Sequence, residues 1–322
     1  MLELYPILLK PYYRDYLWGG IRLRKEFGKE DGPNPTAESW ELVCRTNAHS
    51  IARNGPLAGR TLDDLRQMDA ALYWGTDCRK DAFPILVKLI DAKRDLSIQV
   101  HPSERSALPQ FGEQGKAEMW YVVDCLPQSY IYYGFSERID EEELIRRVDD
   151  GSICDVLNKV PVERGDVFYI LPGMIHAIGS GIVMAEIQQN SDTTFRIYDY
   201  LRLDANGEMR QLHLQRAKTV IDYTPVIPTE CRVNSGAVFP GFMMTKMFSC
   251  PYFRAYRFEF RDRFFFFFIG KSVQHLLFVE GSGVLRYEGG EVAFHKGDSV
   301  FIPAALGDYA IEGIGKMLLS HV

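Results

Sequence analysis

Nowhere does the chain of 322 residues offer the roughly 18 to 20 consecutive apolar residues that a membrane-spanning helix needs. The N-terminus, MLELYPILLKPYYRDYLWGG, lacks the apolar core of a secretion signal, being broken by Pro6 and Pro11 and charged throughout. Basic residues are not in excess. With 37 lysines and arginines against 43 aspartates and glutamates the net charge is -6, which leaves no electrostatic footprint for nucleic acid but allows a local basic pocket for a phosphate. The six cysteines, Cys44, Cys78, Cys125, Cys154, Cys231 and Cys250, make no CxxC pair and no disulfide framework, which a chain of this length does not need. They read as reduced thiols of a cytoplasmic protein. The most apolar run, Phe264 to Phe268, is stopped by Arg261, Asp262 and Arg263 and soon followed by Lys271, so it reads as a strand buried on both faces.

Against these absences stands one informative stretch, LSIQVHPSERSALPQFGEQGKAEMW, Leu96 to Trp120. As a strand, Leu96 to His101 puts Ser97, Gln99 and His101 on one face and Leu96, Ile98 and Val100 on the other. Further on, Glu118 opens the strand-like EMWYVVD, and His176 follows a Pro-Gly turn in FYILPGMIH. Two imidazoles, a carboxylate and an amide oxygen could converge on one cation. Such a set without thiolate suits zinc and leaves manganese, iron, cobalt or nickel open; completed by water, it would be catalytic rather than structural. Taken singly, each residue reads more readily as a satisfied core or surface group than as a ligand.

The flanking words are more specific. LSIQVHP, GKAEMWYVVD, the run PGMIHAIGSGIVMAEIQQNSDTTFRIYDY from Pro172 to Tyr200, WGG at Trp18 to Gly20 and ESWEL at Glu38 to Leu42 follow one order. In that order, from about Tyr16 to the C-terminus, they resemble the type I mannose-6-phosphate isomerases in their short bacterial form. The resemblance implies one Zn2+ per chain, held by Gln99, His101, Glu118 and His176. It also implies that Arg196 is the active-site arginine, that Lys116 lies near the substrate, and that Glu186 and Asp192 are acidic residues of the same pocket. One departure is visible: relatives have Pro-Ala-Gly before the turn to the histidine, whereas this chain has Leu171, Pro172 and Gly173.

The implied activity is a zinc-dependent aldose-ketose isomerisation of mannose 6-phosphate and fructose 6-phosphate through an enediol(ate), with a small-molecule sugar phosphate as partner. It needs a proton moved between C1 and C2 by a base whose pKa lies near the working pH, and a Lewis acid for the developing charge. Glu186, Asp192, Lys116 and a water held by the metal are the candidate bases, unranked. Arg196 suits the reaction centre or the phosphate, and Lys116 the phosphate or proton transfer. The alternative for Arg196 and for Lys116 alike is a purely structural ion pair, Arg196 having Asp192 and Asp199 close in sequence. Two other functions stay open: an Fe(II) oxygenase on the same two histidines and carboxylate, and a non-catalytic sugar-binding cupin.

Around the site, Thr61 caps a helix with Leu62, Leu65, Met68 and Leu72 at helical spacing. Phe83 to Asp91 reads as a strand forming a hairpin with the Gln99 strand. IDEEELIRRVDDG reads as a helix capped by Asp140 and ended by Gly151, its acidic first turn favouring the macrodipole, with ICDVLNKV as a second short helix. A third short helix is expected from about Leu212 to Tyr223. RGDVFYILPGMIH at Arg164 is echoed by KGDSVFIPAALGD at Lys296, and EMWYVVD by QHLLFVE, with Gln274 in place of Glu118 and Asp308 in place of His176. The expectation is a mainly β protein of two cupin-type jelly rolls with a small helical segment at about 136-160. Residues 1-223 would form the metal-binding catalytic domain. Residues 224-322 would form a second jelly roll without metal ligands, joined by a linker at Thr224 to Val233. Trp18 is open between a sugar pocket and a core position.

Overall fold

The computed structural model describes residues 4–78, 82–204, 206–228, 236–267 and 271–322. Antiparallel strands dominate, as the short runs of β-branched and aromatic residues between Gly and Pro turns require. By density of contacts the chain forms two compact units, one of residues 15–20 and 90–232, the other of residues 1–14, 21–89 and 233–322. The second boundary lies near the expected one, but the early segments group with the C-terminal jelly roll. Strand pairing is the reason: Ile7–Lys10 joins Ser299–Ile302, with Ile7 opposite Phe301, and on its other edge Ile51–Ala52.

In the unit of residues 15–20 and 90–232, Val167–Ile170, Glu118–Cys125 and Ile182–Gln189 are neighbours in one sheet. A second sheet runs in the order Leu157–Pro161, Tyr130–Phe135, His176–Ile178, Ile98–Val100, Phe195–Tyr198. One face of this second sheet is apolar. Ile98, Val100, Ala177, Phe195 and Ile197 pack with Leu144, Val148, Ile153 and Val156 from the small helical segment and with Ala217. Helix Glu141–Asp149 is started as expected, with Asp140 accepting a 2.9 Å bond from the Glu143 N–H. ICDVLNKV, however, is a 3-10 turn at Ile153–Val156 followed by a strand, Leu157–Pro161, because its second half pairs with Tyr130–Phe135. The expected helix near Leu212 is a single turn, Leu214–Ala217.

The expected hairpin between Phe83–Asp91 and the Gln99 strand does not form. Ile98–Val100 pairs with His176–Ile178 and Phe195–Tyr198 instead. Asp95 redirects the chain, accepting from the Ser180 N–H at 2.7 Å and the Tyr130 hydroxyl at 3.1 Å, while the Leu96 N–H donates to Ile178.

The other unit is built on a sheet running from Ala237–Phe239 through Phe242–Ser249, Arg254–Phe260, Tyr309–His321, Gln274–Tyr287 and Ser299–Ile302 to Ile7–Lys10. Helix Leu62–Tyr73 carries a reciprocal capping box between Thr61 and Asp64 and breaks helical geometry at Asp69. The phenylalanine run is a strand, Arg263–Phe266, but not one buried on both faces: Phe264 is buried, Phe265 is 56 % exposed and Phe267 82 %. The strand pairs with Tyr309–His321, and its alternating side chains put Phe264 on a covered face and Phe265 on an uncovered one. Phe268, and the second half of the expected linker together with Cys231, lie outside the described residues.

The internal echo is structural as well as textual. Ile170 stands opposite Glu118, and Ile302 opposite Gln274. Both copies enter that pairing through the same Gly-Asp turn. Gly165 and Gly297 have φ of +95° and +90°, and their N–H groups donate to Val122 and Phe278. That left-handed backbone region favours glycine.

Candidate active site

Register determines which side chains meet. Tyr133, His176, Gln99 and Arg196 are successive cross-strand partners on the second sheet, so they share the face opposite the apolar one. On the first sheet Glu118 pairs with Gln188 and Trp120 with Glu186, which puts these four on one face. The two polar faces meet. The Trp120 indole approaches the His176 imidazole edge-on with 5.4 Å between centroids, and Glu118 Oε2 lies 3.9 Å from His176 Nε2.

At the centre His101 Nε2 lies 3.2 Å from His176 Nε2 and 3.2 Å from Glu118 Oε1. His101, Glu118 and His176 are all fully buried, with one ligand atom of each within 4.8 Å of the others. Among the described residues this is the one group of three or more His, Cys, Asp or Glu side chains that meets that spacing. The Gln99 amide completes the ring, its nitrogen 3.4 Å from His176 Nε2; an amide flip places its oxygen there.

Main-chain carbonyls orient both imidazoles. His101 Nδ1 lies 2.9 Å from the Thr193 carbonyl and His176 Nδ1 2.8 Å from that of Met174. With Nδ1–H spent on those acceptors, each Nε2 lone pair points inward. Burial, reinforced by the Lys116 ammonium, pushes His101 down to about 4, and burial likewise lowers His176, so both rings are neutral at neutral pH. For Glu118 burial acts upward, but Lys116 and His101 outweigh it and hold the carboxyl well below its usual range. The Pro172-Gly173 turn docks where His176 begins its strand: the Gly173 N–H donates to the His101 carbonyl at 2.9 Å.

Lys116 is buried with Nζ 2.7 Å from Glu118 Oε1 and 3.1 Å from His101 Nε2. An ammonium thus occupies the ligand constellation, which shows that these atoms accommodate a positive charge. Arg196 is half-buried and anchored by its Nη1 on the Gln211 carbonyl at 2.8 Å and by its N–H on His213 Nδ1 at 3.1 Å. It makes no ion pair among the described residues, and its Nε is buried without a hydrogen-bond partner. The expected alternative, a structural pair with Asp199, is taken by other residues: Asp199 binds Arg202 and Arg210. Glu186 is buried on the shared face and accepts from Trp120 Nε1 at 3.2 Å. Asp192 is exposed and is not joined to this group. Trp18 is 3 % exposed and stacks on Tyr16, a core position.

Sequence reasoning missed Trp120, Gln188 and the carbonyls of Thr193 and Met174. The first two were recoverable from the two-residue period of their strands, Trp120 standing two after Glu118 and Gln188 two after Glu186. The carbonyls carry no side-chain signal.

Comparison with known proteins identifies the family. Residues 7–122 match the family "Phosphomannose isomerase type I, catalytic domain", and residues 243–322 match "Mannose-6-phosphate isomerase, cupin domain". Mannose-6-phosphate isomerase ManA of Bacillus subtilis is 36 % identical over 98 % of this chain and 99 % of its own length. The chain belongs to the type I phosphomannose isomerase family. The mannose-6-phosphate isomerase of Streptococcus mutans is another such relative, 33 % identical over 98 % of both chains. The crystal structure of the Bacillus subtilis mannose 6-phosphate isomerase superposes with a TM-score of 0.90 at 33 % identity, covering 98 % of this chain and 99 % of that one. The two cupin-type jelly rolls expected from the sequence are the architecture of this family and of this chain.

Proposed function

We propose that this chain interconverts mannose 6-phosphate and fructose 6-phosphate, using one zinc ion per chain held by Gln99, His101, Glu118 and His176. The observation that carries the reading is the convergence of two inward-facing Nε2 lone pairs and the buried Glu118 carboxylate, in a chain that resembles ManA of Bacillus subtilis over nearly its full length. Nitrogen and oxygen donors without thiolate suit zinc, and a dication there would supply Lewis-acid stabilisation of the charge that develops on the sugar oxygens.

The remaining steps fall to the chain's own side chains. Lys116, beside Glu118 and His101, is placed to hold or hand over a proton at the sugar oxygens. Glu186, buried and steadied by Trp120, is the carboxylate we assign to proton transfer between C1 and C2. Asp192 is exposed and is left out of that step. The guanidinium of Arg196 has its Nε without a partner, and it stands on the row that holds Gln99 and His176, so it is assigned to the anionic substrate. No helix of the described residues is long and apolar enough to cross a membrane, and Cys44, Cys78, Cys125, Cys154 and Cys250 are free thiols, which fits the cytoplasmic reading.

The test is chelator-stripped protein assayed for fructose 6-phosphate formation before and after zinc is returned. Recovery with zinc supports the proposal. Full activity in the stripped protein removes the metal from it, whereas iron-dependent oxygen consumption without isomerisation replaces it with an oxygenase.

A further inference from the structure

The peptide that carries Lys116 is gripped by residues outside the metal constellation. Glu104 opens the helix Glu104–Phe111 and brings Oε2 within 2.8 Å of the Gly115 N–H and 3.0 Å of the Gln189 side-chain nitrogen. Gln189 ends the strand Ile182–Gln189 and returns its Oε1 to the Ala117 N–H at 3.0 Å, while its own N–H donates to the Ala117 carbonyl at 3.1 Å. The Lys116 N–H donates to Pro102 at 3.1 Å. The approach is close: a Cβ built on Gly115 would come within 2.3 Å of the Glu104 nitrogen.

We propose that Glu104 and Gln189 clamp the 115–117 segment so as to fix the Lys116 ammonium, with Glu104 a positioning residue rather than a ligand or a base. This rests on the assignment of Lys116 to proton transfer made above. A lysine side chain is a flexible four-carbon stem, so its nitrogen is localised only if its backbone is. Glu118 is independently held, between Ile170 and Gln188, so the clamp acts chiefly on Lys116. Gln189 is itself 3 % exposed and held from behind by Gln188, whose Nε2 donates to the Gln189 carbonyl at 2.8 Å.

The experiment is a double-mutant cycle on the zinc-loaded enzyme with Glu104→Ala, Lys116→Ala and their combination, alongside Glu104→Gln. Misplacing a reacting group by about 1 Å costs on the order of 100-fold, so Glu104→Ala should lower kcat by about 10- to 100-fold with KM and zinc content little changed. Glu104→Gln should recover most of the loss, because its amide oxygen accepts the same two bonds. In the Lys116→Ala background Glu104→Ala should cost nothing further. Full additivity in the cycle, or loss of zinc from Glu104→Ala, overturns the clamp. An unimpaired Glu104→Ala beside an impaired Lys116→Ala overturns it too, while an unimpaired Lys116→Ala overturns the role of Lys116 itself. Should Glu104→Ala not fold, Glu104→Asp withdraws the carboxylate by one methylene and carries the same expectations.

Discussion

Tyr309 donates a 2.6 Å hydrogen bond to Gln274, the residue that stands in the second jelly roll where Glu118 stands in the first. A buried phenol and an amide thus satisfy each other where the first copy gathers two imidazoles and a carboxylate, and the charge a cation would need is gone. Asp308, aligned with His176, is exposed. The expected stoichiometry is therefore one zinc per chain, falling to near zero in His101→Ala with loss of activity. Metal analysis of the two purified proteins checks this, and a second equivalent that survives the substitution would place a site in the C-terminal copy.

Arg196→Ala is expected to keep its zinc and lose about 100-fold or more in turnover, the scale seen when one donor to developing charge is removed. Its anchors are the main chain of Gln211 and the ring of His213, and none of the buried metal-ligand atoms hydrogen-bonds to it. Zinc content and kcat measured on the same preparation decide the matter. Undiminished turnover would take the arginine out of the mechanism.

What could be read from the sequence was what is local. The two-residue period joined Gln99 to His101, and the capping pattern at Thr61 and at Asp140 gave the helix starts. Gln99 and His176 are cross-strand partners 77 residues apart, and nothing in a spacing expresses that; it took the family's words to join them. Local adjacency also misled. The turn after Asp91 looked like a hairpin because hairpins are the commonest use of such a turn, yet Asp95 spends its carboxylate on Ser180 and Tyr130 and sends the chain elsewhere. The phenylalanine run shows the same limit, since composition does not say whether one face of a strand is covered or both.

Trp120→Phe tests the support of Glu186. Phenylalanine keeps a ring beside His176 but removes the Nε1–H that Glu186 accepts. Taking a donor from a buried carboxylate costs about 1–3 kcal/mol, with a further loss from the smaller ring. Urea unfolding should show that destabilisation, and kcat should fall while zinc stays bound. A variant as active as the parent would detach Glu186 from the chemistry.

His275 gives the second jelly roll a built-in sensitivity to acid. The ring is fully buried with Nε2 2.8 Å from the Ser299 hydroxyl, which in turn donates to the Glu41 carbonyl. Burial, with Lys29 nearby, pushes its pKa down to about 3. Unfolded, the same imidazole titrates near its ordinary value of about 6.5. Between those values the unfolded chain takes up a proton that the native one refuses, so this residue's contribution is whole above about 6.5 and is lost progressively as pH falls toward 3. One such proton is worth about 1.4 kcal/mol per pH unit. His275→Gln retains a donor for Ser299 without a titrating group, and its unfolding free energy should fall less steeply from pH 6 to 4 by about that slope. Parallel curves for parent and variant would mean that His275 takes up its proton in the folded protein too.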